Sequence, residues 1–328
     1  MLVSIIIPNY NHSLFLQQRI ESVLNQTYQH FELIILDDCS KDNSREIIEQ
    51  YRNNPKVTHI LFNEHNSGST FKQWNKGIEL AKGDIVWLAE SDDVADQEFL
   101  QTLVPEFTNN EKVGLVYAQS YRLNENNEIT GTWLSWTDTL DANQFIKLSS
   151  NEFGTDFCMN GLVFIDRFLI HKNTLPNASA VLFKKNIYLQ VGGADETVKN
   201  CSDWLLWIKM LLISDVAFVA KPLNYFRYHA GSVIANAIKM SSSDRYWETY
   251  DKTMRKQMKK HLGVFSGEST LLKNINKRNN YYILEDEGRE AVFEIKKKRW
   301  VNGSLKLIKA TLTAPTLSFI RLLLRNNK

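Results

Sequence analysis

The chain has 328 residues, of which 43% are hydrophobic and 23% charged. This composition excludes a disordered or fibrous protein, and a chain of this length can bury a sizeable core without disulfides. No run reaches the roughly 18 uninterrupted apolar residues that a membrane-spanning helix needs. Residues 251–328 hold 18 Lys and Arg against 7 Asp and Glu, a balance of +11. Because the whole chain carries +2, the rest carries −9, and this asymmetry indicates two parts with different tasks.

The cysteines indicate a reducing compartment. Cys39, Cys158 and Cys201 have neither the spacing of metal ligands nor the density of a disulfide framework, so reduced thiols are expected. The first apolar run starts at Leu2, which leaves no room for the charged and apolar regions of a secretory signal. We therefore expect a cytoplasmic protein, with peripheral attachment to the inner face of the membrane as an open alternative.

The first 90 residues alternate between short apolar runs and segments with helical spacing. The predicted strands are Val3–Ile7, Phe31–Leu36, Val57–Phe62 and Ile85–Ala89, and the predicted helices are Leu14–Leu24, one capped by Asn43 or Ser44, and Phe71–Ala81. Gly83 is expected to end the third helix as a C′ glycine. This alternation predicts an α/β fold with right-handed βαβ units and a mostly parallel sheet. In such sheets ligands bind beyond the carboxyl ends of the strands.

After residue 93 the alternation is less regular. The predicted elements are a helix over Gln97–Asn109, a strand over Val113–Leu123, a hairpin turn at Asn124–Asn127, a strand over Ala180–Phe183, a helix over Trp204–Leu212 and a strand over Val216–Val219. Residues 135–175 show no clear period and are interpreted as variable loops and short helices. From about residue 240 the sequence is typical of charged helices.

Three carboxylates follow the fourth predicted strand in the segment Glu90-Ser91-Asp92-Asp93. Carboxylates this close repel one another, which costs stability unless a cation is present. Mg²⁺ and similar hard cations bind a few carboxylates together with substrate phosphate oxygens. The alternative is that Ser91 or Asp92 caps the following helix, with acids near its positive end.

Two polar turns follow the first two strands. Pro8-Asn9-Tyr10-Asn11 carries a tyrosine that could stack on a base, or it is a plain turn. The segment from Asp37 to Ser44 is polar throughout and could equally cap a helix.

These features occur together and in order, and residues 3–93 resemble the family 2 inverting glycosyltransferases of bacterial cell-surface polysaccharides. The matching segments are SIIIPNYN, QTYQHFELIILDDCSKDNS and NEHNSGSTFKQWNKGIELAKGDIVWLAESDD. The resemblance extends over roughly the first 230 residues and is strongest over 1–95. It implies a GT-A domain over 1–235, with a nucleotide-binding half (1–95) and an acceptor half (96–235), followed by a basic helical extension over 236–328.

The resemblance implies specific roles in the nucleotide-binding half. Pro8 and Tyr10 would line the base and ribose, with Tyr10 stacking, and Asp38 would accept a hydrogen bond from the base. Asp92 would be the metal-binding acid of the D-x-D element, holding Mn²⁺ or Mg²⁺ against the diphosphate. Asp93 would lie beside it and position the donor or the metal.

The chain also departs from the family pattern. Glu90 stands where the family usually has Asp, and a ribose or metal contact is expected for it. The family often has Ala-Arg-Asn in the third helix, where this chain has Gln73-Trp74-Asn75. The basic contact is therefore missing, and Lys72 is expected to replace it.

Two segments of the second half match the family as well. Gly192–Glu196 followed by Cys201–Trp204 resembles its Gly-Gly and acid-Asp-Trp elements, which implies that Asp203 is the catalytic base; a helix cap is the alternative. Phe226–Ser232 resembles the loop that closes over the diphosphate. There His229 would be a further metal ligand or a solvated side chain, and Arg227 would neutralise phosphate charge.

The predicted function is transfer of a hexosyl or N-acetylhexosaminyl group, with inversion, from a nucleotide diphosphate to a hydroxyl of a glycan or lipid-linked acceptor. Uridine is favoured by the resemblance alone. A nucleotidyltransferase usually has a Gly-rich, basic loop after the first strand, which this chain lacks. A non-catalytic protein that binds nucleotide sugars is the second alternative, since Glu90 and Trp74 depart from the pattern.

Two regions are expected to contact the acceptor or its surroundings. Acceptor recognition is placed between Trp133 and Ser179, where aromatic residues could pack on sugar rings or form core; these are Trp133, Trp136, Phe153, Phe157 and Phe164. Residues 296–328 are basic and apolar, and could lie on an anionic membrane or pack on the domain. No nucleic-acid recognition motif accompanies them.

Overall fold

The structure is a computed structural model that describes residues 1–133, 153–175, 177–197, 202–232, 246–264 and 269–296. The chain divides into two compact units, Met1–Asn236 and Ala237–Lys328. Trp136, Cys201 and the basic segment from 297 to 328 lie outside the described residues, so the expectations about them stay predictions.

The first half of the larger unit has the predicted strand and helix alternation. Its elements are β1 (Val3–Asn9), α1 (Ser13–Leu24), β2 (Phe31–Asp37), α2 (Ser44–Glu49), β3 (Val57–Phe62), α3 (Thr70–Leu80) and β4 (Ile85–Leu88). The strands pair in the order β3-β2-β1-β4, and all of these pairs are parallel. Every residue of β1 and β2 is buried, as expected for a parallel sheet covered on both faces.

The second half extends the same sheet. Its elements are β5 (Val94–Ala95), α4 (Phe99–Leu103), α5 (Glu106–Asn109), β6 (Val113–Leu123), β7 (Ile129–Thr132), β8 (Phe157–Met159), α6 (Gly161–Phe164), β9 (Val181–Lys184), α7 (Lys185–Gln190), α8 (Ser202–Leu211) and β10 (Asp215–Arg227). The sheet continues from β4 through β9, β6 and β10 to β5. Because β9 is antiparallel to both neighbours, the sheet is mixed, but β6 and β10 remain parallel to each other. The predicted α/β class is confirmed, and the predicted parallel pairing holds for the first half of the sheet.

Two local predictions were wrong. The helix expected over Gln97–Asn109 is two short helices, because Pro105 has no N–H to donate and begins a new helix. Gly83 does not adopt a left-handed conformation: α3 ends at Leu80, and Ala81 is already extended. Glycine is needed at 83 for space, since a Cβ there would lie 2.6 Å from the Leu2 carbonyl oxygen and 2.7 Å from the Ser4 nitrogen.

The aromatic residues of the predicted acceptor region are mainly core in the described part of the chain. Phe153 and Phe164 are buried, and the Phe153 ring packs edge to face on Phe168 at a centroid distance of 5.0 Å. Trp133 is buried between Phe226 and the guanidinium of Arg122. These side chains hold the second half of the sheet together instead of presenting a sugar-binding surface.

The described part of the smaller unit contains two helices, α9 (Tyr246–Val264) and α10 (Thr270–Lys296). Met254, Met258 and Ile275 are fully buried, and the buried Asn279 amide donates to the Arg255 carbonyl at 2.8 Å. Apolar packing and the hydrogen bond from the Asn279 amide nitrogen therefore join the two helices. No helix among the described residues is both long enough and apolar enough to cross a bilayer.

Candidate active site

Hydrogen bonds join the polar turns after β1 and β2 at the carboxyl edge of the sheet. The Asn9 amide donates to Asp37 Oδ1 at 2.7 Å, and Ser40 Oγ accepts from the Asn11 backbone N–H at 2.9 Å. Asn11 adopts a left-handed conformation with φ of 56°. Between these contacts the Tyr10 side chain remains 44% exposed. The turn thus presents one aromatic ring to solvent at the edge where nucleotides bind in such sheets.

Asp38 is buried and its carboxylate organises the loop after β3. Its oxygens accept hydrogen bonds from the Asn63 amide at 2.6 Å, from the Ser67 N–H and hydroxyl, and from the Gln73 amide at 3.0 Å. Both oxygens are therefore already in use. The predicted contact between Asp38 and a base stays a prediction, and it requires one of these donors to leave.

Lys72 is exposed near the same loop. Its ammonium group donates to the Ser67 carbonyl at 3.2 Å, so it lies beside the loop that Asp38 organises. Pro8 is buried within β1. Nucleotide contacts for both residues stay predictions.

The acid segment after β4 does not cap a helix. Residues 90–93 lead into the short strand β5, and α4 begins only at Phe99. The nearest turn is closed by Asp96, whose carboxylate accepts from the Glu98 N–H at 2.9 Å. The capping alternative for Ser91 and Asp92 is therefore wrong.

Glu90 and Trp74, the two departures from the family pattern, contact each other. The indole N–H of Trp74 donates to Glu90 Oε1 at 2.7 Å, and the Trp74 ring is buried. Burial raises the pKa of Glu90 to about 8, and repulsion from Asp92 acts in the same direction. Relative to the family pattern, Glu90 is longer than the usual Asp, and Trp74 is a neutral donor where a basic side chain is usual. The two departures therefore occur at side chains that contact each other.

Removing this hydrogen bond is expected to destabilise the fold. Trp74→Phe keeps most of the ring that packs on Phe71 but leaves the Glu90 carboxyl without its donor, which costs about 1–3 kcal/mol. Urea unfolding of Trp74→Phe, Glu90→Gln and the double variant gives the coupling energy. A coupling energy near zero would show that the contact contributes nothing.

Asp93 is paired with arginine inside the protein. Its carboxylate accepts from the Arg227 backbone N–H at 2.8 Å and lies 3.9 Å from an amino group of Arg19, whose side chain is fully buried. Burial raises the pKa of Asp93, with the charge of Asp92 adding to the effect, while Arg19 opposes it. Burial lowers the pKa of Arg19 to about 10, which leaves it charged at neutral pH. Asp93 is therefore held by contacts within the protein, and its predicted role in positioning the donor or the metal stays a prediction.

Arg227 was predicted to neutralise phosphate, but it is only 1% exposed. Its Nε donates to the Asp92 carbonyl at 2.7 Å, and its amino groups donate to Asn127 Oδ1 and Gln18 Oε1, each at 2.8 Å. The guanidinium also stacks on Phe15 at 4.6 Å from the ring centroid. These contacts make Arg227 a structural bridge between strand ends. A phosphate contact stays a prediction, which the buried position disfavours.

Asp92 is the acid that faces two histidines. His229 Nε2 lies 3.0 Å from Asp92 Oδ2, and one ligand atom each from His12, Asp92 and His229 lie within 4.8 Å of one another. Ligands of one octahedral ion at about 2.1 Å lie about 3–4 Å apart, so small side-chain movements would bring all three onto a common ion. Asp92 and His229 were both predicted metal ligands, whereas His12 had no predicted role.

The charges of this cluster suit a cation. Burial lowers the pKa of His12, so its imidazole is neutral at neutral pH. Burial opposes ionisation of Asp92, but the hydrogen bond from His229 and the proximity of His12 outweigh it and hold the pKa of Asp92 below its ordinary value. Metal ligands must be neutral imidazoles and ionised carboxylates.

The three carboxylates after β4 do not need a cation to relieve their repulsion, contrary to the prediction from sequence. The structure relieves that repulsion internally, because Glu90 favours its protonated form and Asp93 lies beside Arg19. The case for a metal depends instead on the donor set around Asp92.

Asp203 lies in the first turn of α8 and is half-buried. The Asn173 amide donates to its Oδ2 at 3.2 Å. Burial raises the pKa of Asp203, while the Trp204 backbone N–H and Asn173 partly offset the effect. Within the described part of the chain its side-chain partner is Asn173, and not the cluster around Asp92.

The loop that precedes α8 is fixed by contacts that the sequence did not reveal. Asn75 accepts from the Ala194 N–H at 3.2 Å and donates to the Ala194 carbonyl at 3.1 Å. The buried Lys209 ammonium donates to the Gly193 carbonyl at 2.7 Å, and the Asp195 N–H donates to the Ser202 hydroxyl at 3.1 Å. The start of the helix that carries Asp203 is thereby tied to α3.

Comparison with known proteins identifies the family of the chain. Residues 4–172, more than half of the chain, match Glycosyl transferase family 2. Glycosyltransferase GlyG of Streptococcus pneumoniae is 26% identical over 252 residues, which cover 76% of this chain and 79% of GlyG.

Two solved structures share the fold. One is residues 1–349 of TarS from S. aureus in complex with UDP-GlcNAc, with a TM-score of 0.63 and 18% identity over 94% of this chain and 79% of that one. The other is mannosyltransferase PcManGT from Pyrobaculum calidifontis in complex with GDP-Man and Mn²⁺, with a TM-score of 0.52 and 12% identity over 98% of this chain and 82% of that one. The chain therefore belongs to glycosyl transferase family 2 and has the GT-A fold.

Proposed function

We propose that this glycosyltransferase is metal-dependent and inverting, and that it moves a hexosyl or N-acetylhexosaminyl group from a UDP donor to a hydroxyl of a glycan or lipid-linked saccharide. The observation that carries the proposal is the His12, Asp92 and His229 cluster at the carboxyl end of β4. It lies at the same edge of the sheet as the exposed Tyr10 ring. TarS, which shares the fold, binds UDP-GlcNAc, and PcManGT binds a sugar nucleotide together with Mn²⁺.

The residues of this site divide into those that hold the donor and those that act on the acceptor. Tyr10 stacks on the base, and Asp92 with His229 holds the divalent cation. When bound, Mn²⁺ or Mg²⁺ acts as a Lewis acid that stabilises charge on the departing nucleotide diphosphate.

Asp203 takes the proton from the acceptor hydroxyl as that oxygen attacks the anomeric carbon. Attack from the side opposite to the leaving diphosphate inverts the anomeric configuration. Asn173 holds the Asp203 carboxylate in place through the 3.2 Å hydrogen bond. No group on the protein needs to become covalently attached to the sugar.

The proposal is tested by a thermal-shift screen of nucleotide diphosphates and their sugars, with and without Mn²⁺. A ligand that binds only the folded state raises the melting temperature by mass action. We expect UDP and a UDP-sugar to raise it when Mn²⁺ is present, and we expect slow release of UDP from that sugar in a hydrolysis assay. A rise in melting temperature with GDP in place of UDP would contradict the uridine donor. A rise with UDP in the absence of metal would contradict the metal dependence.

The pH profile of turnover is expected to reflect Asp203. A base must be deprotonated, and burial raises the pKa of this carboxyl, so kcat should fall with decreasing pH at a midpoint above about 3.9, the ordinary value for Asp. Asn173→Ala removes a hydrogen bond that favours the carboxylate and should move the midpoint further up. The kcat profile is measured at saturating donor and acceptor. An unchanged midpoint in Asn173→Ala would indicate that another group titrates.

A further inference from the structure

His12 has a defined position at the start of α1. Its carbonyl accepts from the backbone N–H groups of Phe15 and Leu16, each at 2.9 Å, which anchors it to the first helical turn. The preceding residue, Asn11, accepts from the Lys41 N–H at 2.7 Å and so ties the turn to the loop after β2. The backbone of His12 is therefore held from both sides.

The imidazole of His12 points into the Asp92 and His229 cluster. Its ring centroid lies 5.4 Å from that of His229, in an edge-to-face arrangement, and Phe15 packs on both rings. His12 Nδ1 lies 2.8 Å from the hydroxyl of Ser91, which is itself buried. The Ser91 hydroxyl can accept a hydrogen bond from His12 Nδ1–H, and in that tautomer Nε2 keeps the lone pair that a metal ion needs.

We propose that His12 is a third protein ligand, acting through Nε2, and that the chain holds its cation with two imidazoles and one carboxylate before any nucleotide binds. This inference rests on the metal dependence proposed above. It predicts cation selectivity: Mg²⁺ is a hard ion that prefers oxygen ligands, whereas affinity for imidazole increases from Mn²⁺ to Co²⁺. We therefore expect the apo protein to bind Co²⁺ more tightly than Mn²⁺, and both more tightly than Mg²⁺.

The test measures metal alone on the full chain, with no nucleotide or sugar present. Metal-free protein is titrated with Mn²⁺, the free ion is followed by electron paramagnetic resonance, and Mg²⁺ is added as competitor. We expect one Mn²⁺ per chain that only a large excess of Mg²⁺ displaces. Spin-echo modulation of the bound Mn²⁺ should show nitrogen couplings from two imidazoles in the wild type and from one in His12→Ala.

Three variants separate ligation from a structural role. His12→Ala should weaken Mn²⁺ binding by more than about 10-fold, and Ser91→Ala by about 10-fold, the usual effect of losing an outer-shell partner. His30→Ala is the matched control, because His30 is an exposed histidine just before β2, and it should bind like the wild type. If His12→Ala fails to fold, the number of imidazoles coupled to Mn²⁺ in the wild type still decides whether His12 is a ligand.

The inference is overturned if wild-type Mn²⁺ shows one imidazole or none, or if Mg²⁺ competes on equal terms. That result would be compatible with Mn²⁺-dependent sugar transfer, so the proposed function would survive it. Conversely, two imidazoles on Mn²⁺ in a protein that transfers no sugar would support His12 as a ligand and count against the proposed function.

Discussion

Asp203→Asn is expected to lower kcat by about 10²–10⁴-fold, the usual contribution of general-base catalysis, while the affinity for the donor stays close to that of the wild type. The amide keeps the shape of the carboxylate and can still accept the hydrogen bond from Asn173, but it cannot take a proton. Because the pKa of Asp203 is raised, the carboxylate is also a better base than an exposed aspartate. Steady-state turnover and calorimetric titration with donor measure the two quantities separately.

The control for this substitution is Asp84→Asn. Asp84 is exposed, just before β4 and therefore at the opposite end of the sheet, so the same loss of charge there should leave kcat unchanged. Turnover of Asp203→Asn at the wild-type rate would remove Asp203 from the role of base and favour the alternative from sequence, which is a helix cap.

Asp92→Ala is expected to abolish metal-dependent binding of the nucleotide. Asp92 supplies the one carboxylate of the three that faces His12 and His229, and its loss leaves two neutral imidazoles as the protein donors. The measurement is calorimetric titration of UDP with Mn²⁺ present and absent. Unchanged affinity with Mn²⁺ would contradict the assignment.

The neighbouring acid provides the matched comparison. Asp93→Asn can still accept from the Arg227 N–H but removes the charge beside the buried Arg19. Burial raises the pKa of Asp93 to about 7, so its carboxyl is already partly neutral near neutral pH and the neutral amide should cost little stability. We expect Asp93→Asn to retain metal binding and a melting temperature close to that of the wild type, whereas Asp92→Ala should lose metal binding.

Much of the framework follows from local sequence patterns. The apolar runs of β1, β2, β3 and β4 and the helical spacing between them predict the parallel half of the sheet, because each βαβ unit is encoded within a short stretch of chain. The turn at Asn124–Asn127 was also predicted, and it is confirmed by the hydrogen bonds to Asn124 Oδ1 and the left-handed Asn127. The same patterns place Asp92 and Tyr10 after strands whose carboxyl ends meet.

Other features depend on contacts between distant segments. The antiparallel insertion of β9 between β4 and β6 pairs Lys184 with Ile85 and Phe183 with Leu115, which are far apart in the chain, and it has no local signal. The position of His12 in the turn after β1 is visible in the sequence. It becomes a candidate metal ligand only because the fold brings His229, at the end of β10, close to it and to Asp92.

The sequence by itself determined the fold class, the family and the edge of the sheet where the acids lie, since strand order within βαβ units and residue type at strand ends are local properties. Only the tertiary structure decided what each acid does. Glu90 contacts Trp74, Asp93 lies beside Arg19, and Asp92 faces two histidines. Neighbouring acids differ in role because the direction and burial of each side chain depend on the segments that pack around it. Burial and nearby charges in turn set the charge of a carboxyl.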